Sequence, residues 1–174
     1  MTLPNPCRGL NSGMRKSGWA VASLFIAAAC SSKEAPGGAD TDGAVVDCTH
    51  DPRVDTYTAN LKHDGMRSML EFTLVDSNPA PPARGSNVLT LKVTQKDGTA
   101  MGGRLTANLK MPDHGHETSV QPTISFDAAS SSYTIDPAYL FMPGVWRIQF
   151  DEYGDAEDAG TSLDTGVFYF CIEG

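Results

Sequence analysis

From Cys48 onward, apolar and polar residues alternate with a period of two, and this pattern constrains the chain more than any other feature. Leu70, Phe72 and Leu74 alternate with Glu71 and Thr73, and Leu89, Leu91 and Val93 with Thr90, Lys92 and Thr94. The same pattern runs through Leu105, Ala107, Leu109 and Met111, and again through Trp146, Ile148 and Phe150. Only a strand places every second side chain on one face, so each segment reads as a strand with one buried and one wet side. Further strands are expected at 55–60, 122–126, 132–136 and 166–172. Breakers separate them: Asn78-Pro79-Ala80-Pro81-Pro82, Lys96-Asp97-Gly98, Pro112 to Gly115, and Tyr153 to Gly160. No amphipathic helix of three turns is visible. One-sided strands are the habit of antiparallel sheets. The expectation is an all-β, immunoglobulin-like antiparallel β-sandwich of about seven strands over residues 48–174.

The first 47 residues follow other rules. Arg15 and Lys16 precede the apolar run Gly18 to Ala29, and Ala27-Ala28-Ala29 lead into Cys30. A basic pair followed by a short apolar run is a secretory signal. The run falls short of the roughly 20 apolar residues that span a bilayer. Small residues before a cysteine resemble a bacterial lipoprotein signal, with residues 1–29 removed and Cys30 lipidated. Ala27 stands where such signals usually carry Leu, and an ordinary signal cleaved near Ala29 is the alternative. Met14 offers a second start. Residues 30–47 are small and polar and read as a flexible tether. The implied address is the cell envelope, held to the membrane by lipid and facing the periplasm or the exterior. Ser31, where an Asp can retain lipoproteins at the inner membrane, favours the outer one.

Charge and cysteine usage narrow the function. Arg8, Arg15 and Lys16 all precede Cys30, so the chain from Cys30 onward carries 10 basic and 21 acidic side chains, a net of −11. That balance excludes a basic nucleic-acid-binding face and docking on anionic lipid by protein charge. Cys7 and Cys30 lie in the leader and at its end, which leaves Cys48 and Cys171 at opposite ends of the domain. In an oxidising compartment they are expected to form a disulfide. Two thiolate metal ligands are the rival reading, although the pair has neither close spacing nor a companion CxxC. GxSxG, HExxH and P-loop motifs are absent from the sequence, so no catalytic activity is expected. Ser130, Ser131 and Ser132 form a run placed in a turn. Asp151, Glu152, Asp155, Glu157 and Asp158 read as a solvated acidic loop, without the ligand spacing of a calcium loop.

One constellation carries chemistry. Met111-Pro112-Asp113-His114-Gly115-His116 follows a strand, and Phe141-Met142-Pro143-Gly144-Val145-Trp146 opens another. Imidazole is the commonest transition-metal side-chain ligand, and thioether selects Cu(I). His114 and His116, with Met111 and Met142 beside them, therefore form a candidate copper site. His63 and Met66 are further candidate ligands, while Asp113 and Glu117 would act as oxygen donors or orient the rings. The structural alternative is equally concrete. Met111 is in phase with the apolar face of its strand, Met142 would plug the sandwich, and the histidines would be plain loop residues.

The segment MPDHGHET, followed some thirty residues later by FMPGVWRIQF, resembles the YtkA-like domain family, related to FixH-like proteins. The likeness covers roughly residues 65–151, and Glu117 stands where the family often has Gly. It implies a small, exported immunoglobulin-like domain. It also implies copper binding, because FixH-like proteins are linked to copper supply for a haem-copper oxidase. The alternative is a structural or protein-interaction module of the envelope.

Overall fold

The computed structural model describes residues 47, 48, 50–154 and 160–174. The leader, Cys30 and most of the tether lie outside them, as do Asp155, Glu157 and Asp158. Among the described residues nine strands follow in order: β1 (Leu61–Asp64), β2 (Leu70–Asn78), β3 (Gly85–Gln95), β4 (Leu105–Met111), β5 (His116–Glu117), β6 (Thr123–Asp127), β7 (Ser132–Leu140), β8 (Gly144–Glu152) and β9 (Asp164–Ile172). They form two antiparallel sheets, ordered β1-β2-β3-β7-β6 and β5-β4-β8-β9. With β2 to β9 taken as strands A, B, C, C′, D, E, F and G, the sheets are A-B-E-D and C′-C-F-G, the immunoglobulin arrangement. β1 extends the first sheet at its A edge.

Alternation becomes burial in these sheets. β9 alternates buried and half-buried residues along its whole length, and β3 does so from Asn87 to Val93. Trp146, Tyr133, Phe72, Phe150 and Phe168 are the largest wholly buried side chains, packed with Leu74, Leu89, Leu91, Leu109 and Ile135 between the sheets. Each such side chain contributes about 1.5–3 kcal/mol by leaving water. Pro137 interrupts β7, but the register shifts there against Asn87 and Leu89 of β3. A bulge is where a strand tolerates a residue that cannot donate to the ladder.

Two strands differ from expectation. Residues 55–60 do not form one. Asn60 has a positive φ of 62°, which breaks the extension, and pairing begins only at Leu61. Upstream, Asp55 docks on β9 instead: its N–H donates to the Tyr169 carbonyl and its carboxylate accepts the Tyr169 N–H, both at 2.8 Å. The two-residue β5 was not foreseen, because two residues show no periodicity.

One acid is also placed differently. Glu152 is not on a solvated loop. Its side chain is wholly buried, accepting the Tyr133 hydroxyl at 2.9 Å and the Gly154 N–H at 2.8 Å. At the start of β9, Asp164 is wholly buried too and accepts backbone N–H groups from Arg67, Met69, Leu70 and Thr165 at 2.8–2.9 Å. Burial pushes its pKa up, but these four donors outweigh burial and hold the carboxyl below its ordinary value. The β1–β2 turn is thus fastened to the opposite sheet. Ser130 lies in the β6–β7 turn, bonded to Asp127 through its N–H and hydroxyl.

Cys48 and Cys171 form the expected disulfide, 123 residues apart in sequence. The bridge joins the segment before β1 to the end of β9, not sheet to sheet as in antibody domains.

Candidate functional site

The antiparallel register brings the two singled-out segments to one end of the sandwich. β4 runs beside β8 with Lys110 opposite Arg147, which carries Met111 towards Trp146. β8 in turn pairs Val145 with Cys171 of β9. The tip after β4, the turn before β8 and the disulfide therefore share an end. Met66 lies at the other end, where its N–H donates to the carbonyl of Thr165. Thr165 and Cys171 are six residues apart along β9, or about 20 Å at 3.3 Å per residue. Met66 therefore stays clear of the His114–His116 tip.

The hairpin tip has a simple construction. Gly115 adopts φ +68°, a conformation that disfavours side chains, and its N–H closes the turn on the Met111 carbonyl at 2.8 Å. Met111 and His116 then face each other across β4 and β5. Beyond β5, the Thr118 N–H donates to the Leu109 carbonyl, and its hydroxyl reaches the Tyr139 carbonyl in the other sheet at 2.7 Å. His114 and His116 are both exposed. Their ring centroids lie 6.2 Å apart with planes 17° from parallel.

Asp113, between Met111 and the histidines, has a partner that sequence reasoning missed. Both its oxygens accept from Arg53, at 2.8 and 2.6 Å, and Arg53 is itself held by the Asp51 carboxylate at 2.6 and 2.9 Å. The Arg53 hydrogen bond holds the Asp113 carboxyl below its ordinary pKa, and the same guanidinium lowers Asp51 to about 2. These groups are solvent-facing, so the attraction is screened. Its value lies in direction: a fork on a carboxylate fixes orientation. Asp51-Pro52-Arg53 reads as a local turn in sequence, and nothing in it points to a residue sixty positions away.

The methionines divide. Met111 is wholly buried in the core, where its phase with Leu105 and Leu109 puts it, so its thioether is a packing group and not an exposed ligand. Met142 is half-buried against the core. Its carbonyl accepts the Trp146 indole N–H at 2.9 Å, and Trp146 is wholly buried with Phe141 edge-on at 5.5 Å. The Met-Pro-Gly-x-Trp segment is therefore a self-capped turn whose tryptophan roots it in the core. His63 has its own task. Its Nε2 meets Asp55 at 3.0 Å and its ring packs on Phe168 at 4.7 Å. It fastens the segment before β1 and does not join the histidine pair. Glu117 is exposed on β5.

One ion bonded at about 2 Å to a nitrogen of each ring holds the two centroids no more than about 6 Å apart. His114 and His116 stand at that limit and have water access. Among the described residues no three His, Cys, Asp or Glu side chains gather around a common point. Compared with known protein families, curated proteins and solved structures, the chain finds no match. The likeness to YtkA-like domains rests on the two short motifs.

Proposed function

We propose that this chain is a lipid-anchored envelope domain that binds copper, and passes it on, through His114 and His116. The observation that carries this reading is the exposed imidazole pair, 6.2 Å apart on one fixed hairpin tip. Structural zinc takes four ligands, whereas Cu(I) is content with two or three soft or imidazole donors. Met142, half-buried at the same end, is the one thioether from the sequence set that remains as a third ligand. Bound there, the metal would supply a labile ion held at the surface, suited to transfer and not to chemistry inside a pocket. Cys30 would carry the lipid, and residues 31–47 would let the tip reach a recipient protein in the envelope. The domain would bind without catalysing a reaction.

The burial of Met111 favours a second reading, a structural or protein-interaction module whose two motifs shape the loops. One experiment separates them. The full chain is purified with Cys48–Cys171 oxidised and its remaining thiols alkylated, then titrated with Cu(I) against a competing chelator. One-to-one binding that disappears in His114→Ala/His116→Ala supports copper. Absent binding, or binding unchanged in that variant, refutes it, and crosslinking in the envelope then seeks a protein partner.

A further inference from the structure

Cys48 and residues 50–57 form a strap beside β9, fastened at both ends. At one end Cys48 is bonded to Cys171 of β9. At the other, Asp55 exchanges hydrogen bonds with Tyr169 of β9 and contacts His63 of β1. Between these points the strap turns tightly, with the Asp51 N–H on the Cys48 carbonyl at 3.2 Å and the Val54 N–H on the Asp51 carbonyl at 3.0 Å. That turn lets Asp51 hold Arg53 by its backbone N–H, its Nε and one Nη. The two Nη groups then close on both oxygens of Asp113. Asp113 immediately precedes His114. A continuous path of bonds thus runs from the disulfide through Asp51 and Arg53 to the residue that sets where His114 starts. The hairpin's own bonds, from Gly115 to Met111 and from Thr118 to Leu109, close the turn around Asp113 and His114, and the Arg53 fork adds a hold on the Asp113 side chain.

We propose that Arg53 is a positioning residue for the His114–His116 pair, and that the Cys48–Cys171 disulfide holds the strap from which Arg53 acts. The affinity of the tip for metal then depends on the thiol state of the domain. The inference rests on the copper reading above. The point of attack is defined. Cys48 is only 4% exposed, whereas Cys171 is half-buried and lines a cleft of about 380 Å³ with Val54, Tyr57, Pro81, Arg84 and Phe170. A thiolate of an external dithiol attacks the Cys171 sulfur, and Cys48 leaves as thiolate and takes a proton. The second thiol of the reagent resolves the mixed disulfide and frees Cys171 as a thiol. Two electrons pass to the protein, and the dithiol is left as its own disulfide. Released at Cys48, the strap keeps its fastenings at Asp55 and Tyr57, but the turn that carries Arg53 loses its covalent end.

The test compares the full-length wild type, Arg53→Ala, Arg53→Lys and Cys48→Ser/Cys171→Ser, all alkylated at remaining thiols so that no stray thiolate binds metal. Two quantities are read: amide hydrogen exchange at 113–117 without metal, and Cu(I) affinity by chelator competition. Exchange at the tip is expected to quicken in Arg53→Ala and in the double serine variant, while the β1–β2 turn at the other end stays protected in Arg53→Ala. Affinity is expected to fall about tenfold in both, the lower end of the loss on removing a residue that orients a ligand. Arg53→Lys, a point charge without the fork, is expected to recover only part. Unchanged tip exchange in Arg53→Ala overturns the clamp even if copper binds. If the serine variant exchanges rapidly throughout, Arg53→Ala alone decides. A wild type that binds no Cu(I) overturns the affinity claim together with the copper reading, whatever the exchange shows.

Discussion

Replacing Asp164 by Asn should weaken the domain more than any single surface change, and the effect should depend on pH in a defined direction. Asp164 is wholly buried and accepts four backbone N–H groups, two from the β1–β2 turn and one from Leu70 at the start of β2. A hydrogen bond to a charged group contributes about 1.5–3 kcal/mol, and a buried donor left unsatisfied costs about 1–3 kcal/mol. Asparagine keeps one oxygen for at most two of the four donors and turns an NH2 group towards the others. With shared and partly hydrated donors discounted, the loss should be about 3 kcal/mol. That is a large share of the roughly 5–15 kcal/mol that holds a domain folded. The sign of the pH effect follows from the depressed pKa of Asp164 in the fold. A carboxyl with a lowered folded-state pKa contributes stability above its unfolded pKa, near 3.9, and loses it as pH falls through the folded value. Urea unfolding of wild type and Asp164→Asn at pH 7, and again in steps below pH 4, reads both effects. The gap should be full at pH 7 and should narrow on acidification. A gap under about 0.5 kcal/mol at pH 7, or one that widens in acid, would refute the reasoning.

Three further outcomes follow from the packing. Gly166→Ala should destabilise by about 1–3 kcal/mol, because a Cβ at Gly166 would fall 2.3 Å from the Phe72 ring; an unchanged urea midpoint would mean that β2 and β9 can part at little cost. Tyr133→Phe should cost about 1.5–3 kcal/mol by removing the hydroxyl that donates to buried Glu152, read in the same assay. Cys48→Ser/Cys171→Ser should lower stability by up to about 5 kcal/mol, the chain-entropy figure for a bridge spanning 123 residues. A loss below about 1 kcal/mol would mean that the strap is held by Asp55 without its covalent end.

How much of this was legible beforehand differs between fold and site. Period-two alternation is a local property, so Leu105 to Met111 could be bounded as a strand from the sequence, and the phase of Met111 already pointed inward. The disulfide followed from the expectation of export and from the cysteine count. Where local and long-range causes compete, the sequence was less informative. Residues 55–60 look extended, but a positive φ at Asn60 and the docking of Asp55 on β9 turn them into a strap. Glu152 and Asp164 look like surface acids, because nothing local reveals that a tyrosine hydroxyl or a row of turn amides will meet them in the interior. The histidine pair was visible because its members are two residues apart. Its clamp was not, because Arg53 and Asp113 are sixty residues apart and meet only when β4, β8 and β9 align their ends. The sequence by itself determined the longer strands, the inward phase of the core and the pair of cysteines, all set by side-chain period and composition. Tertiary structure alone decided which buried acids find donors and what holds the histidine tip, since each depends on contacts between residues distant along the chain.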